Sequence, residues 1–495
     1  MKVFTPEVVW HEKQPILSVD FHSSGRLASG GADNFVRIWR IKEQDNGKLF
    51  PLFMSELSRH TSSVNVVRFS PDGSVLASAG DDCVICLWKL SNEGASRNAF
   101  TCSGSGAVNQ ETWTITKILR GHQQDIYDLC WSHDSTKLIS ASVNHTGVVW
   151  DIAQAIQLAV LSEHQLYVQG VAWDPIGCYL ATLSSDKMMR VYTATNYQLH
   201  STVNRITHST GDSCARISFH DETISTFFRR LSFSPDGSVL IVPTGKVDGI
   251  SKMPLNATYI FTRNNFSKPV AYLPAGDMPT VVVRFSPVLY QLLPANDGVE
   301  NSAKFIDLPY RMVYAVASQD SIVLYDTQST CPFGYISNIH YASITDLTWS
   351  SDGHKLVASS SDGYCTILGF DDGEIGMPLA SHEIPVGTRK TATVNMETSP
   401  PAKPIPVSTI IDQTTPQRKI IPPSTTTPVS GSSSDKKGPR RVQLITLSTT
   451  PAAGAASNST NVTTNSSSVI VNSSSTPDTS STYTTPVTAP DIVIL

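Results

Sequence analysis

The chain carries little charge for its length. Charged residues make up 16% of 495, and the formal net charge is −5. So small an excess excludes a protein that coats nucleic acid through its overall charge. The eight cysteines, Cys83, Cys86, Cys102, Cys130, Cys178, Cys214, Cys331 and Cys365, are scattered, most of them in apolar, strand-like runs. That usage suits a reducing compartment and argues against a disulfide framework. No apolar run reaches the roughly 18–20 residues that cross a bilayer, and the stretch from Met1 to Pro6 lacks the apolar core of a signal peptide. A soluble, intracellular protein is expected. The sequence has no G-x-x-x-x-G-K-[ST], no strand-linked G-x-G-x-x-G, no H-E-x-x-H and no clustered His/Cys set. Neither an enzyme, a cofactor nor a metal is therefore expected. Cys83 and Cys86 form a C-x-x-C, but they lie along the run Val84-Ile85-Cys86-Leu87-Trp88. Residues three apart on a strand point to opposite faces, so those thiols cannot converge on zinc.

What the sequence does have is repetition. Val36-Arg37-Ile38-Trp39 returns as Ile85-Cys86-Leu87-Trp88, Val148-Val149-Trp150 and Arg190-Val191-Tyr192. Weaker copies stand at Tyr259-Ile260-Phe261, Ile322-Val323-Leu324-Tyr325 and Thr366-Ile367-Leu368, which makes seven. A histidine precedes this position by 28 residues five times: His11, His60, His122, His164 and His340. Six residues before it stands Asp33, Asp82, Asn144, Asp186 or Asp362. Four residues earlier again stands Ser29, Ser78, Ser140 or Thr182, with Ala358 in the last copy. Tight-turn signals such as Ser70-Pro71-Asp72-Gly73, repeated at Ser234-Pro235-Asp236-Gly237, separate short apolar strands.

Short strands at this period, with Gly121-His122 and Trp150-Asp151 as the best matches, resemble WD repeats. The resemblance implies an all-β fold, a seven-bladed WD-repeat β-propeller over residues 1–380. Each repeat supplies one four-stranded blade, and a single blade cannot bury both faces, so the ring must close. Residues 1–10 are expected to supply the closing strand. Inserts are expected near Val242 to Ala257, from Val288 to Pro309, and over residues 91–111.

A serine, a histidine and an aspartate at fixed spacing also fit a hydrolase. Their recurrence argues otherwise, because an enzyme needs one such set. The WD resemblance implies buried hydrogen-bonded chains that tie strands to turns. These would be His11, Ser29, Asp33 and Trp39; His60, Ser78, Asp82 and Trp88; His122, Ser140, Asn144 and Trp150; and His164, Thr182, Asp186 and Tyr192.

From residue 381 to 495 the composition shifts to Ser, Thr, Pro, Asn, Ala and Val, and Tyr483 is the only aromatic. Such a segment cannot bury enough surface to offset chain entropy and is expected to be a disordered tail. Within it, the basic run from Lys436 to Arg441 leads into the apolar, β-prone Val442 to Leu447. That pairing suits a short docking motif over 436–447, a strand that adds to a partner's sheet edge with arginines on acidic groups. An import signal over Lys436 to Arg441 is the competing explanation.

Longer runs carry a narrower resemblance. Phe227-Phe228-Arg229-Arg230-Leu231-Ser232-Phe233, Pro332-Phe333-Gly334-Tyr335-Ile336-Ser337-Asn338-Ile339-His340-Tyr341 and the run Tyr167 to Pro175 are similar to the WD-repeat (middle) subunit family of chromatin assembly factor one. That family's tail motif pairs two arginines with a β-branched residue and leucines, and Arg440, Arg441, Val442, Leu444 and Leu447 match it. The resemblance implies a nuclear, chromatin-bound scaffold subunit of a histone chaperone that deposits histones three and four during replication and repair. The implied partners are the large and small subunits, the histones, and the anti-silencing-function chaperone on the tail, with DNA reached only through the complex. The alternatives are the replication-independent histone-regulator WD protein and a ubiquitin-ligase substrate receptor.

Overall fold

A computed structural model describes residues 1–91, 108–210, 213–249, 253–294 and 306–379, with the backbone of Gln443–Thr446 and Val493–Ile494. Among these residues every helix or strand assigned is a strand, and the strands gather into seven sheets arranged as a β-propeller. Blade one sets the pattern. Its strands Ile16–Phe21, Arg26–Gly31, Phe35–Glu43 and Leu49–Ser58 run antiparallel from the channel outward. Inner strands are buried on both faces because a neighbouring blade covers each side. Val64–Phe69, Val168–Trp173 and Ile344–Trp349 are buried along their whole length. The outer strand of blade three, Ile156–Leu161, is mostly exposed.

The turns explain why so regular a ring forms. Gly73 and Gly237 stand at φ +72° and +71°, a conformation a side chain rarely adopts. Ser70 and Ser234 donate to Asp72 and Asp236, each at 2.5 Å, which fixes the two S-P-D-G turns alike. Lys2–Phe4 pairs with Cys365–Gly369, so the first strand of the chain becomes the outer strand of blade seven. Behind it Trp10 is fully buried, its ring centroid 4.7 Å from that of Trp39.

Blade five departs from the pattern. The region expected to hold an insert is a long hairpin, Val239–Asp248 with Leu255–Thr262, whose register shifts between Val242 and Gly245. Its inner half pairs with the two-residue strand Ser232–Phe233. Its far half pairs with Ser213–Phe219, which in turn pairs with Ile206–Thr210. An extra hairpin between blades four and five therefore widens this sheet. In blade six, Thr280–Tyr290 and Arg311–Ser318 carry the ladder well into the expected excursion, pairing Tyr290 with Arg311. Residues 295–305 and 92–107 lie outside the described residues. Two short strands of the tail join the ring's outer edges. Gln443–Thr446 pairs with Gly334–Ser337 of blade six, and Val493–Ile494 with Ala271–Pro274 of blade five.

Candidate functional site

Four of the five repeated histidines sit between a hydroxyl and a carboxylate, and blade three lacks the carboxylate. In blade one His11 Nδ1 lies 2.7 Å from Asp33 and Nε2 2.7 Å from Ser29, whose hydroxyl also accepts the Trp39 indole N–H at 2.9 Å. Blade two repeats this with His60, Asp82, Ser78 and Trp88 at 2.7–2.8 Å. In blade three Ser140 still bridges His122 and Trp150, at 2.6 and 2.8 Å. Asn144, however, accepts from Thr146, and His122 Nδ1 has no hydrogen-bond partner. In blade four His164 reaches Asp186 and Thr182 at 2.9 and 2.7 Å. The Tyr192 hydroxyl donates to Glu163 at 2.9 Å. In blade seven Ala358 offers no hydroxyl, and Thr366 on the next strand supplies one 3.1 Å from His340.

Three of these imidazoles, His11, His122 and His164, are poor acid–base groups. Burial pushes His11 and His164 below their ordinary range despite Asp33 and Asp186, and pushes His122 down to about 4. A boxed-in imidazole repeated around a ring binds strands together. Among the described residues no group of three or more His, Cys, Asp or Glu could hold a metal. Cys83 stands in the turn at φ +62°, before the strand Val84–Leu90 that carries buried Cys86.

The centre of the ring holds a feature that spacing did not reveal. The segment before Ser232–Phe233 turns inward and sends Arg230 across the channel. Its guanidinium donates to the carbonyls of Leu17, Asn65 and Thr345, which belong to blades one, two and seven. It also lies 2.6 Å from Asp346, which pairs with Arg68 at 2.8 Å and Arg284 at 3.3 Å and accepts from Ser18 at 2.8 Å. Burial alone would raise the Asp346 carboxyl, but Arg230, Arg68 and Arg284 outweigh it and hold it well below the usual range. Burial brings Arg230 down to about 10, still charged at neutral pH. Five blades thus meet at one buried carboxylate. The sequence signal was the Phe-Phe-Arg-Arg run, which fits no blade template.

On the face that carries the histidine loops, the same segment leaves Phe227 61% exposed and stacked on Tyr127, with centroids 5.6 Å apart. Phe228 turns inward beneath Arg230, whose guanidinium carbon lies 4.2 Å from the ring centroid. Of the expected docking motif, Leu444 lies in the described strand Gln443–Thr446. Arg440, Arg441, Val442 and Leu447 lie outside the described residues.

Residues 1–375 match the family described as the CAF1B/HIR1 beta-propeller domain. The chain is 45% identical over 392 residues to the B subunit of chromatin assembly factor 1 from Mus musculus, covering 77% of this chain and 68% of that protein. It is 44% identical over 419 residues to the Gallus gallus protein of the same name, covering 82% and 74%. Protein HIR1 of Cryptococcus neoformans (strain JEC21) is 33% identical over 391 residues, which cover 76% of this chain and 40% of that one. On the extent of that match, and on a seven-bladed ring that spans the same residues, the chain belongs to the CAF1B/HIR1 β-propeller family, on the side of the chromatin assembly factor 1 proteins.

Proposed function

We propose that this chain is a non-enzymatic scaffold subunit of a histone chaperone complex. It acts in chromatin assembly in the nucleus, where the complex deposits histones three and four on newly replicated or repaired DNA. The observation that carries this is the 44–45% identity, over most of the chain, to proteins named as the B subunit of chromatin assembly factor 1. The 31–33% identity to the HIR1 proteins makes the replication-independent branch the weaker reading.

The physical division of labour is simple. The propeller is a closed platform, because the first strand of the chain completes blade seven and each blade packs on its neighbours. It binds the large subunit and so joins the assembly that also holds the small subunit and the histones. The tail motif, Arg440, Arg441, Val442, Leu444 and Leu447, docks the anti-silencing-function chaperone that delivers histones. A tether raises the effective concentration of the donor near the acceptor without fixing its pose.

Two measurements test this. Affinity purification from cells should return the large and small chromatin assembly subunits with histones three and four; recovery of a cullin adaptor without them would reject the reading. Replacing Arg440, Arg441 and Val442 with alanine should abolish chaperone binding while the trimer stays intact. Undiminished binding would remove the motif from the account.

A further inference from the structure

The tail strand is not free in this structure. Gln443–Thr446 lies antiparallel to Gly334–Ser337, with Gln443 opposite Ser337, Leu444 opposite Ile336, Ile445 opposite Tyr335 and Thr446 opposite Gly334. It is the fifth strand of blade six, on the edge away from Ser321–Asp326.

Three observations single out this edge. The outer strands of blades five and six have four residues each, against five to ten in blades one to four and three in blade seven. Blades five and six are the two whose outer edges take an added strand. The sequence from Val442 to Leu447 is largely apolar and β-prone, whereas the tail beyond its basic flank is Ser-, Thr- and Pro-rich. The described chain also leaves the ring beside blade six. Leu379 donates to the carbonyl of Leu289, and Gln291 to that of Met377, so the exit runs along this same blade. The roughly 60 residues between could reach about 200 Å fully extended, so the return imposes no constraint of reach.

We propose that the outer edge of blade six is a strand-acceptor surface whose resident occupant is the chain's own segment 443–446. The propeller and the partner that docks on the motif then compete for one backbone. This rests on the docking reading above. Competition follows because the blade and the partner use the same edge of one strand, and an edge pairs with a single neighbour. A strand paired on both edges has neighbours about 4.8 Å away on either side. A partner that takes the edge of 443–446 now held by Gly334–Ser337 must therefore displace the blade. The edge therefore acts as a latch, closing the motif until a chaperone with a better-matched edge displaces it.

Hydrogen exchange on the full-length chain tests this. Amides of 443–446 should exchange at least tenfold more slowly than in a synthetic peptide of residues 436–449. Replacing 443–446 with Gly-Ser repeats should speed exchange at Gly334–Ser337 by a similar factor. Saturating anti-silencing-function chaperone should speed Gly334–Ser337 in the unaltered chain to the same degree while 443–446 stay slow. Peptide-like exchange at 443–446 in the free chain overturns the proposal. So does slow exchange at Gly334–Ser337 with chaperone bound, because the two would then sit on opposite edges of the strand. A chaperone that fails to bind rejects the docking reading alone, and the free-chain comparison still decides the latch.

Discussion

In blade three an amide stands where blades one, two, four and seven carry a carboxylate, and His122 Nδ1 is left without a partner. Asn144→Asp would give that nitrogen the acceptor that Asp82 gives His60 at 2.8 Å. The expected gain at pH 7 is about 1 kcal/mol, a net hydrogen bond to a charged group less its burial cost. A raised Tm and an upward shift of the His122 titration by NMR would check it. Asp346→Asn acts in the opposite direction: it keeps the volume but removes the charge that faces three buried or half-buried arginines. The expected loss is about 3–5 kcal/mol, typical for breaking a buried ion pair on one side, measured as a fall in Tm. Gly170 is constrained by distance, since a Cβ there would lie 1.9 Å from the carbonyl oxygen of Arg229. Gly170→Ala should push the arginine segment out of the channel and cost about 1–3 kcal/mol. At this scale the histidine chains could be read from spacing because each is local to one repeat. The channel cluster could not, because Arg68, Arg230, Arg284 and Asp346 come from four blades and no interval links them.

Among the elements, the closing strand carries more than its length suggests. Lys2–Phe4 makes three residue pairs with Cys365–Gly369, and Thr5 adds a 2.9 Å contact to Thr366, which also bonds His340. Deleting residues 1–10 removes these and Trp10, fully buried against Trp39. A drop in Tm of many degrees is expected, because blade seven loses its fourth strand and blade one a core side chain; an unchanged melt would refute this role. The seven-blade count was legible because the strand pattern recurs seven times, five of them with the histidine at the same interval. The extra hairpin of blade five was not, although its signal existed: Gly211-Asp212 separates two β-prone runs. A reading organised by repeats passes over a hairpin inserted between them. The same bias made the long hairpin of Val239–Asp248 and Leu255–Thr262 look like an insert, since its strands outrun the blade length.

For the whole molecule, repetition turns local protonation into a global property. Burial lowers His11, His122 and His164, so the folded ring binds their protons less tightly than the unfolded chain, whose histidines titrate near 6.5. Above about pH 6.5 neither state holds the proton, and this contribution to stability is complete. As the pH falls below that value the unfolded state is protonated first, and stability is lost until the folded pKa is reached. For His122, which reaches about 4, the loss is roughly 3 kcal/mol by that pH. The carboxylates extend the trend. Asp33, Asp82, Asp186, Asp346 and Asp362 are all held below the usual range despite burial, so their contribution is complete above about pH 4 and lost beneath it. The propeller should therefore melt at nearly constant temperature between about pH 7 and 8, fall steadily from about pH 6.5 to 4, and collapse below. In Asn144→Asp the fall should be smaller and end at a higher pH, because a raised His122 pKa narrows the gap between the two states. A wild-type Tm that stayed level down to about pH 4.5 would show that the imidazoles are not held neutral by the fold, and the stabilising role of the repeated chains would fail with it.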